Sequence, residues 1–260
     1  MSKQRASLRI LLAEDDPVSQ KLAMFLLAKE GNQVTLVDNG RQALDQMTEH
    51  SFDLVLMDIE MPEMGGIEAT QTIRRTQTTT DAYLPIIALT AHAMKGDRER
   101  FLAAGMDDYL TKPIRPKELR RILDLHGSTP DVGATPKAEA PAPPKKDQAL
   151  LSYEETLDYL DGDKELFAQM AELFITTYPR HAAAITQGIA ATDKEAVQHA
   201  AHALKGAISP FAASTLSAAT QRLEQGTFSQ ELDWPLIKNY WEELSTLLDE
   251  FNRQLRTNIP

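Results

Sequence analysis

Asp58 ends the apolar run Leu54-Val55-Leu56-Met57, and Glu14-Asp15-Asp16 ends a second, Ile10-Leu11-Leu12-Ala13. Thr90 closes a third, Pro85-Ile86-Ile87-Ala88-Leu89, and Lys112 follows Asp108-Tyr109-Leu110-Thr111. Brought together, Glu14, Asp15 and Asp58 form a hard-oxygen set that suits Mg²⁺, a cation that takes one or two carboxylates plus phosphate oxygens. An ionised aspartate can act as a nucleophile and form an aspartyl-phosphate. Phosphoryl transfer requires mainly positioning and charge neutralisation. Beside a metal, the Lys112 ammonium and the Thr90 hydroxyl can supply both. Taken singly, each residue has a plainer reading. Asp58 opens a turn with Pro62 and Gly65-Gly66, Thr90 caps a helix, Lys112 is a solvated charge, and Tyr109 belongs to the core. It is the set, at successive strand ends, that points to chemistry.

His202 is the second candidate. The helix that starts at Asp193 carries the apolar stripe Val197, Ala200, Ala201, Leu204, Ile208 and Phe211. At about 100° per residue His202 falls off that stripe, on the outward side. Lys205 and Gly206, three and four residues on, neighbour it on the helix surface. A glycine within a helix costs about 1 kcal/mol relative to alanine, and here it removes a side chain beside the imidazole, so a partner's loop can approach. Lys205 would add a cation near a phosphate carried there. A surface histidine is the plainer reading on these residues alone, and a metal site from His199 and His202 lacks a nearby third ligand.

The elements that must hold these residues alternate. Apolar runs over about 10–13, 34–37, 54–58, 85–90 and 108–110 read as strands; helical periods fill 18–30, 39 onward, 65–75, 95–104 and 116–125. Continuous apolar runs, rather than alternating ones, mark parallel strands covered on both faces. Five strands alternating with five helices predict a doubly wound α/β sheet of order 2-1-3-4-5, whose ligands lie beyond the carboxyl strand ends at the switch point. Residues 150–257 show only helical stripes and predict an antiparallel helical bundle. A short helix over 151–160 is broken by Gly162-Asp163, and Pro179 marks a new helix start.

Composition sets the outer limits. A chain of 260 residues accommodates about two domains. The 42% hydrophobic content supports packed cores. The net charge of −11 disfavours nucleic acid and anionic lipid, which need a basic surface. There is no cysteine, hence no disulfide, thiolate nucleophile or cysteine-type zinc site. No apolar run approaches the roughly 18 residues of a membrane span, and the N-terminus lacks the apolar core of a signal peptide. A soluble cytoplasmic protein is expected.

The motifs Leu11-Leu12-Ala13-Glu14-Asp15-Asp16-Pro17, Leu56-Met57-Asp58-Ile59-Glu60-Met61-Pro62, Ala88-Leu89-Thr90-Ala91 and Asp108-Tyr109-Leu110-Thr111-Lys112-Pro113 resemble those of the receiver domains of two-component response regulators, especially receivers attached to hybrid sensor kinases. The resemblance implies that Asp58 is the phosphoacceptor. It implies that Glu14 and Asp15 hold Mg²⁺, Asp15 directly, with Asp58 and the backbone carbonyl of Glu60 as further ligands. Lys112 would pair with the phosphoryl oxygens, Thr90 would bond one of them, and Tyr109 would move inward as the readout. The Lys112–Pro113 bond would be cis, a form that proline permits at low cost.

Ala201-His202-Ala203-Leu204-Lys205-Gly206-Ala207 is similar to the motif of histidine-containing phosphotransfer (HPt) domains, with Gly162-Asp163-Lys164-Glu165-Leu166 and Leu223-Glu224 as supporting marks. It implies a four-helix bundle in which His202 accepts and donates phosphate through an exposed ring nitrogen. Ser209-Pro210-Phe211-Ala212-Ala213 departs from the family's pattern. Pro210 lacks an N–H, so one helix should end near Ile208 and another begin near Pro210. The expected organisation is a receiver over 1–127, a Pro/Ala/Lys-rich linker over 128–148 and an HPt domain over 149–260. The expected partners are an upstream histidine kinase and a downstream receiver. Other readings are the C-terminal part of a hybrid sensor kinase, and a regulator that acts through protein binding by its helical domain.

Overall fold

The structure, a computed structural model, describes residues 6–77, 83–91, 97–126, 150–228 and 232–259. These fall into two compact units. The expected linker and the first residues of the expected helix over 95–104 lie outside the described residues.

The first unit alternates β1 (Arg9–Ala13), α1 (Pro17–Lys29), β2 (Gln33–Val37), α2 (Gly40–Glu49), β3 (Leu54–Asp58), α3 (Gly66–Thr76), β4 (Ile86–Thr90), α4 (Asp97–Ala104), β5 (Asp108–Thr111) and α5 (Pro116–His126). The strands form one sheet of order β2-β1-β3-β4-β5, and every pairing is parallel. This is the doubly wound order expected from the alternation. Every residue of β3 and β4 is buried. Leu11, Ala13, Val55, Met57, Ile86 and Ala88 share one core with Ala43, Ala69, Ile73 and Phe101. Residues of the other parity, Ile10, Leu12, Leu54, Leu56, Ile87 and Leu89, are buried as well. Both faces are therefore covered, which is why the strands are apolar without alternation.

Two glycines let helices start hard against neighbouring backbone. A Cβ on Gly66 would lie 2.0 Å from the carbonyl oxygen of Asp58, and one on Gly40 2.7 Å from that of Met64. Each glycine also donates its N–H in this region, Gly66 to Ile59 O at 3.0 Å and Gly40 to Met64 O at 2.9 Å. The segment between β3 and α3, which carries Glu60, is thus tied down at both ends.

The second unit holds α6 (Tyr153–Tyr159), α7 (Lys164–Ala191), α8 (Lys194–Ile208), a 3₁₀ turn (Ser209–Phe211), α9 (Ser214–Gly226) and α10 (Trp234–Asn258). Helices α7 to α10 each pack on the next, and α10 returns to α7. Phe167, Phe174, Phe211 and Phe251 fill the centre, with edge-to-face contacts of Phe174 and Phe211 to Phe251 at 5.3 and 5.7 Å between centroids. Asp163, Asp193 and Asp233 cap α7, α8 and α10 by accepting backbone N–H bonds from Leu166, Ala196 and Leu236. Such caps satisfy donors that a helix start leaves open.

Two local expectations change. Pro179 does not start a helix; it lies inside α7, which runs unbroken through it. The proline removes one main-chain bond, to Ile175, but Phe174 before it and Ile185 after it are fully buried and hold both halves in the bundle. The hydroxyls of Thr176 and Thr177 bond back to Glu172 O and Leu173 O at 3.0 and 2.8 Å just ahead of it. The second concerns Pro210. Helix α8 ends at Ile208 as expected, but Pro210 sits in the 3₁₀ turn, and Ala212, at φ 49°, delays α9 to Ser214. Phe211, expected on the α8 stripe, belongs to that turn and enters the aromatic core.

Candidate functional site

Strand register brings the first group of residues together. Ala13 pairs with Met57, so Glu14, just past the end of β1, stands level with Asp58 at the end of β3. Thr90 pairs with Thr111, and Lys112 follows at the end of β5, its N–H donating to Thr90 O at 2.7 Å. Glu14 and Asp58 are almost fully buried, at 1% and 2% exposure. Carboxylate oxygens of Glu14, Asp15 and Asp58 all lie within 4.8 Å of one another.

Like charges so close repel unless a cation joins them. Lys112 provides one. Its Nζ is 2.6 Å from Asp58 Oδ2 and 2.6 Å from Glu14 Oε2. Burial works against that ammonium, but the Asp58 and Glu14 carboxylates outweigh it, and the Lys112 pKa is raised above the usual lysine range. One ammonium against three carboxylates leaves the pocket net negative. Its all-oxygen donor set fits a hard divalent cation such as Mg²⁺.

The remaining expected residues fall around this pocket. Thr90 ends β4 and is buried. Glu60 donates its N–H to Asp58 Oδ1 at 3.4 Å, which places its backbone beside the phosphoacceptor candidate. Tyr109, on β5, packs partly buried against the core, with its ring 6.5 Å from that of Phe101. The Lys112–Pro113 peptide is cis.

The second group lies on α8 and α9. His202 Nδ1 is 2.7 Å from Glu224 Oε1, and Lys205 Nζ is ion-paired to Glu224 Oε2. Gly206 follows Lys205 in the last turn of α8. Burial raises the Glu224 pKa, but the hydrogen bond from His202 and the charge of Lys205 overcome it, and the result is lowered to about 2. An ionised Glu224 accepts Nδ1–H of His202, and in the neutral imidazole that leaves the lone pair on Nε2. Lys205, expected from the sequence as a cation near a phosphate on His202, is held by the same buried carboxylate. His199 is exposed and joins no candidate metal cluster among the described residues.

Glu224 is not among the site residues expected from the sequence, where Leu223-Glu224 is only a supporting mark of the HPt motif. The signal was present: Leu216, Thr220 and Glu224 follow one another at four-residue spacing, so the acid falls on the buried face of α9. An acid in such a position demands a partner.

Comparison with known proteins finds family models that match each of the two units. A family model described as response regulator receiver domain matches residues 10–124, and one described as Hpt domain matches residues 169–257. The chain is 47% identical over 121 residues to hybrid signal transduction histidine kinase I of Dictyostelium discoideum, which covers 45% of this chain and 7% of that protein. It is 36% identical over 223 residues to sensor histidine kinase GacS of Pseudomonas protegens, covering 83% of this chain and 24% of the kinase. The chain thus spans a quarter or less of the length of these two relatives. A solved receiver domain of sensor histidine kinase PA1611 from Pseudomonas aeruginosa, with a magnesium ion in its active-site cleft, is 45% identical over 47% of this chain and all of that one, with a TM-score of 0.43. Among the described residues no helix is long and apolar enough to cross a membrane. The chain belongs to the two-component phosphorelay proteins, as a response regulator receiver domain followed by an Hpt domain.

Proposed function

We propose that this chain carries phosphate at two residues, Asp58 of the receiver and His202 of the Hpt domain. The buried Lys112 bridge between Asp58 and Glu14 is the observation that supports this reading most. At the first site a carboxylate oxygen of Asp58 attacks the phosphorus of a kinase phosphohistidine. An O–P bond forms, the N–P bond breaks, and the donor imidazole leaves with the electron pair. Lys112, already raised in pKa and poised on Asp58, turns to the phosphoryl oxygens, and the Thr90 hydroxyl donates to one of them. Glu14, Asp15, Asp58 and the Glu60 carbonyl would hold Mg²⁺, which when bound supplies further charge neutralisation. Tyr109, two residues before Thr111 on β5, would follow the movement of Thr90.

At the second site Nε2 of His202 attacks the phosphorus of a receiver aspartyl-phosphate. The N–P bond forms, the O–P bond breaks, and the carboxylate leaves. Glu224 holds the ring and stabilises the positive imidazole that develops, and Lys205 and Gly206 frame the approach of the partner. The partners are a histidine kinase upstream and a receiver downstream, both in the cytoplasm. The chain itself serves as a phosphotransfer intermediate. We take residues 1–127 as the receiver, 149–260 as the Hpt domain and 128–148 as a tether. Such a tether raises the effective concentration of one domain at the other to roughly the millimolar range.

The test is intact-mass analysis after treatment with a small-molecule phosphodonor and Mg²⁺, for the native protein, Asp58→Asn and His202→Gln. Base-labile phosphate lost in Asp58→Asn, and acid-labile phosphate lost in His202→Gln, are the expected results. Acid-labile phosphate that also disappears in Asp58→Asn means transfer between the two domains. Absence of phosphate on Asp58 with every donor sinks the receiver mechanism.

A further inference from the structure

Gln20, in the first turns of α1, makes two hydrogen bonds with one side-chain nitrogen. Its Nε2 donates to the backbone oxygen of Glu14 at 2.6 Å and to Asp38 Oδ1 at 2.9 Å. Both partners are acceptors, so the carboxamide nitrogen, with its two N–H groups, must be the end that faces them. Asp38 is fixed in turn: its N–H donates to Gln42 Oε1 at 3.1 Å, and the N–H of Gln42 donates to the Asn39 side chain at 2.9 Å. On the other side of the residue, the N–H of Glu14 donates to Val37 O at 3.1 Å.

The Glu14 carbonyl belongs to the planar peptide unit that joins Glu14 to Asp15. Pinning its oxygen fixes ψ of Glu14 and φ of Asp15 together. Those two angles set the directions in which the two carboxylates leave the chain. Without that bond the peptide gains freedom to rotate, which would turn Asp15 relative to Asp58, because Glu14 already lies beyond the last residue of β1. We infer that Gln20 is a positioning residue for the cation site, tying the acid pair to the end of β2 through Asp38; the inference rests on the proposed role of Glu14 and Asp15. Gln20 touches neither acid's side chain. It acts through the backbone between them.

The experiment uses the full chain with Gln20→Met, which keeps bulk and removes the donor, and Gln20→Glu, which sets a carboxylate against two acceptors. Mg²⁺ affinity is measured by calorimetric titration, the melting temperature is measured in EDTA, and the rate of Asp58 labelling is measured at limiting and saturating Mg²⁺. Loss of an outer-shell partner lowers metal affinity by about tenfold or more. The expected result is an Mg²⁺ Kd weakened about tenfold in Gln20→Met and further in Gln20→Glu. The melting temperature in EDTA should stay within about 2 °C, less than a 1 kcal/mol change produces. Labelling should slow at limiting Mg²⁺ and recover at saturation. An Mg²⁺ Kd within twofold of native in both variants overturns the inference. So does a labelling defect that persists at saturation together with a lowered melting temperature, because that is the mark of a fold defect. Asp15→Asn separates the two levels: if it binds Mg²⁺ as the native chain does, the assignment of the acid pair itself has failed and the role of Gln20 falls with it.

Discussion

Lys112 Nζ and Asp58 Oδ2 stand 2.6 Å apart in a pocket where both side chains are nearly inaccessible. The same ammonium reaches Glu14 Oε2. Breaking a buried ion pair by removing one partner costs about 3–5 kcal/mol, since an uncompensated charge stays behind. Lys112→Met should therefore lower the opening free energy of the β3 amides by about 3 kcal/mol in EDTA. Millimolar Mg²⁺ should restore most of it by taking over the neutralisation. Because the Lys112 pKa is raised on folding, the native pair holds at every pH below the ordinary lysine value and weakens only above it. Native-state hydrogen exchange reads this directly, and a variant as protected in EDTA as the native chain would contradict the account.

Gly66 supplies a second test of the same strand end. A Cβ there would sit 2.0 Å from Asp58 O and 2.8 Å from Met57 Cγ. Backbone at that distance cannot be relieved by a rotamer change, so the start of α3 must move. Overpacking of this kind costs typically 1–3 kcal/mol. Gly66→Ala should fall at the upper end, about 3 kcal/mol by β3 amide exchange. It should also slow Asp58 labelling, because the carbonyl it displaces belongs to the phosphoacceptor candidate. A loss under about 0.5 kcal/mol would mean that the close approach is not required.

The first unit was legible because each buried strand is a short apolar run that stops on a polar residue, and those polar residues are the site. Asp58, Thr90 and Lys112 could be placed from the sequence with no knowledge of distances. Their grouping then followed from the strand order alone. The helix start at Asp193 is legible for a similar reason, since capping is local. The rest depended on partners far along the chain. Glu224 is tolerated in a core position only because His202 and Lys205 come from another helix. Pro179 carries a strong local stop signal, yet the packing of Phe174 and Ile185 overrides it. Gln20 gives no sign in the sequence that its amide will meet the Glu14 backbone.

Pro179 itself gives a prediction. Both tryptophans of the chain, Trp234 and Trp241, lie in α10, so their fluorescence follows the helical unit alone. A proline within a helix costs about 3 kcal/mol relative to alanine where nothing compensates. Here the buried Phe174 and Ile185 hold the helix on either side of the proline, so packing offsets part of that cost. Pro179→Ala should restore the N–H bond to Ile175 O and stabilise the unit by about 1–2 kcal/mol in urea titrations. A destabilised variant would show that the proline shapes α7 to fit its neighbours.

Glu224 ties stability to function in the Hpt domain. Its pKa is lowered on folding, from 4.5 to about 2, so its contribution is complete above pH 4.5 and is lost as pH falls toward 2. A depression of that size corresponds to about 3 kcal/mol. Tryptophan-monitored unfolding should therefore weaken steeply across that range in the native chain. Glu224→Gln should be less stable at pH 7 and depend less on pH below 4.5, with the exposed Glu250–Arg253 pair left as a minor contribution. Function separates from stability in the same variant. The carboxamide oxygen can still accept Nδ1–H of His202, so the tautomer is kept, but the charge that steadies the developing cation is gone. Hydrogen bonds to charged groups contribute about 1.5–3 kcal/mol. Transfer to His202 at pH 7 should thus slow by roughly ten- to a hundredfold under conditions where the variant is fully folded. Glu224→Ala should slow it further, because the ring then loses its anchor as well. Equal transfer rates in the native chain and Glu224→Gln would confine Glu224 to a structural role, with its ion pair to Lys205 as the whole of its contribution.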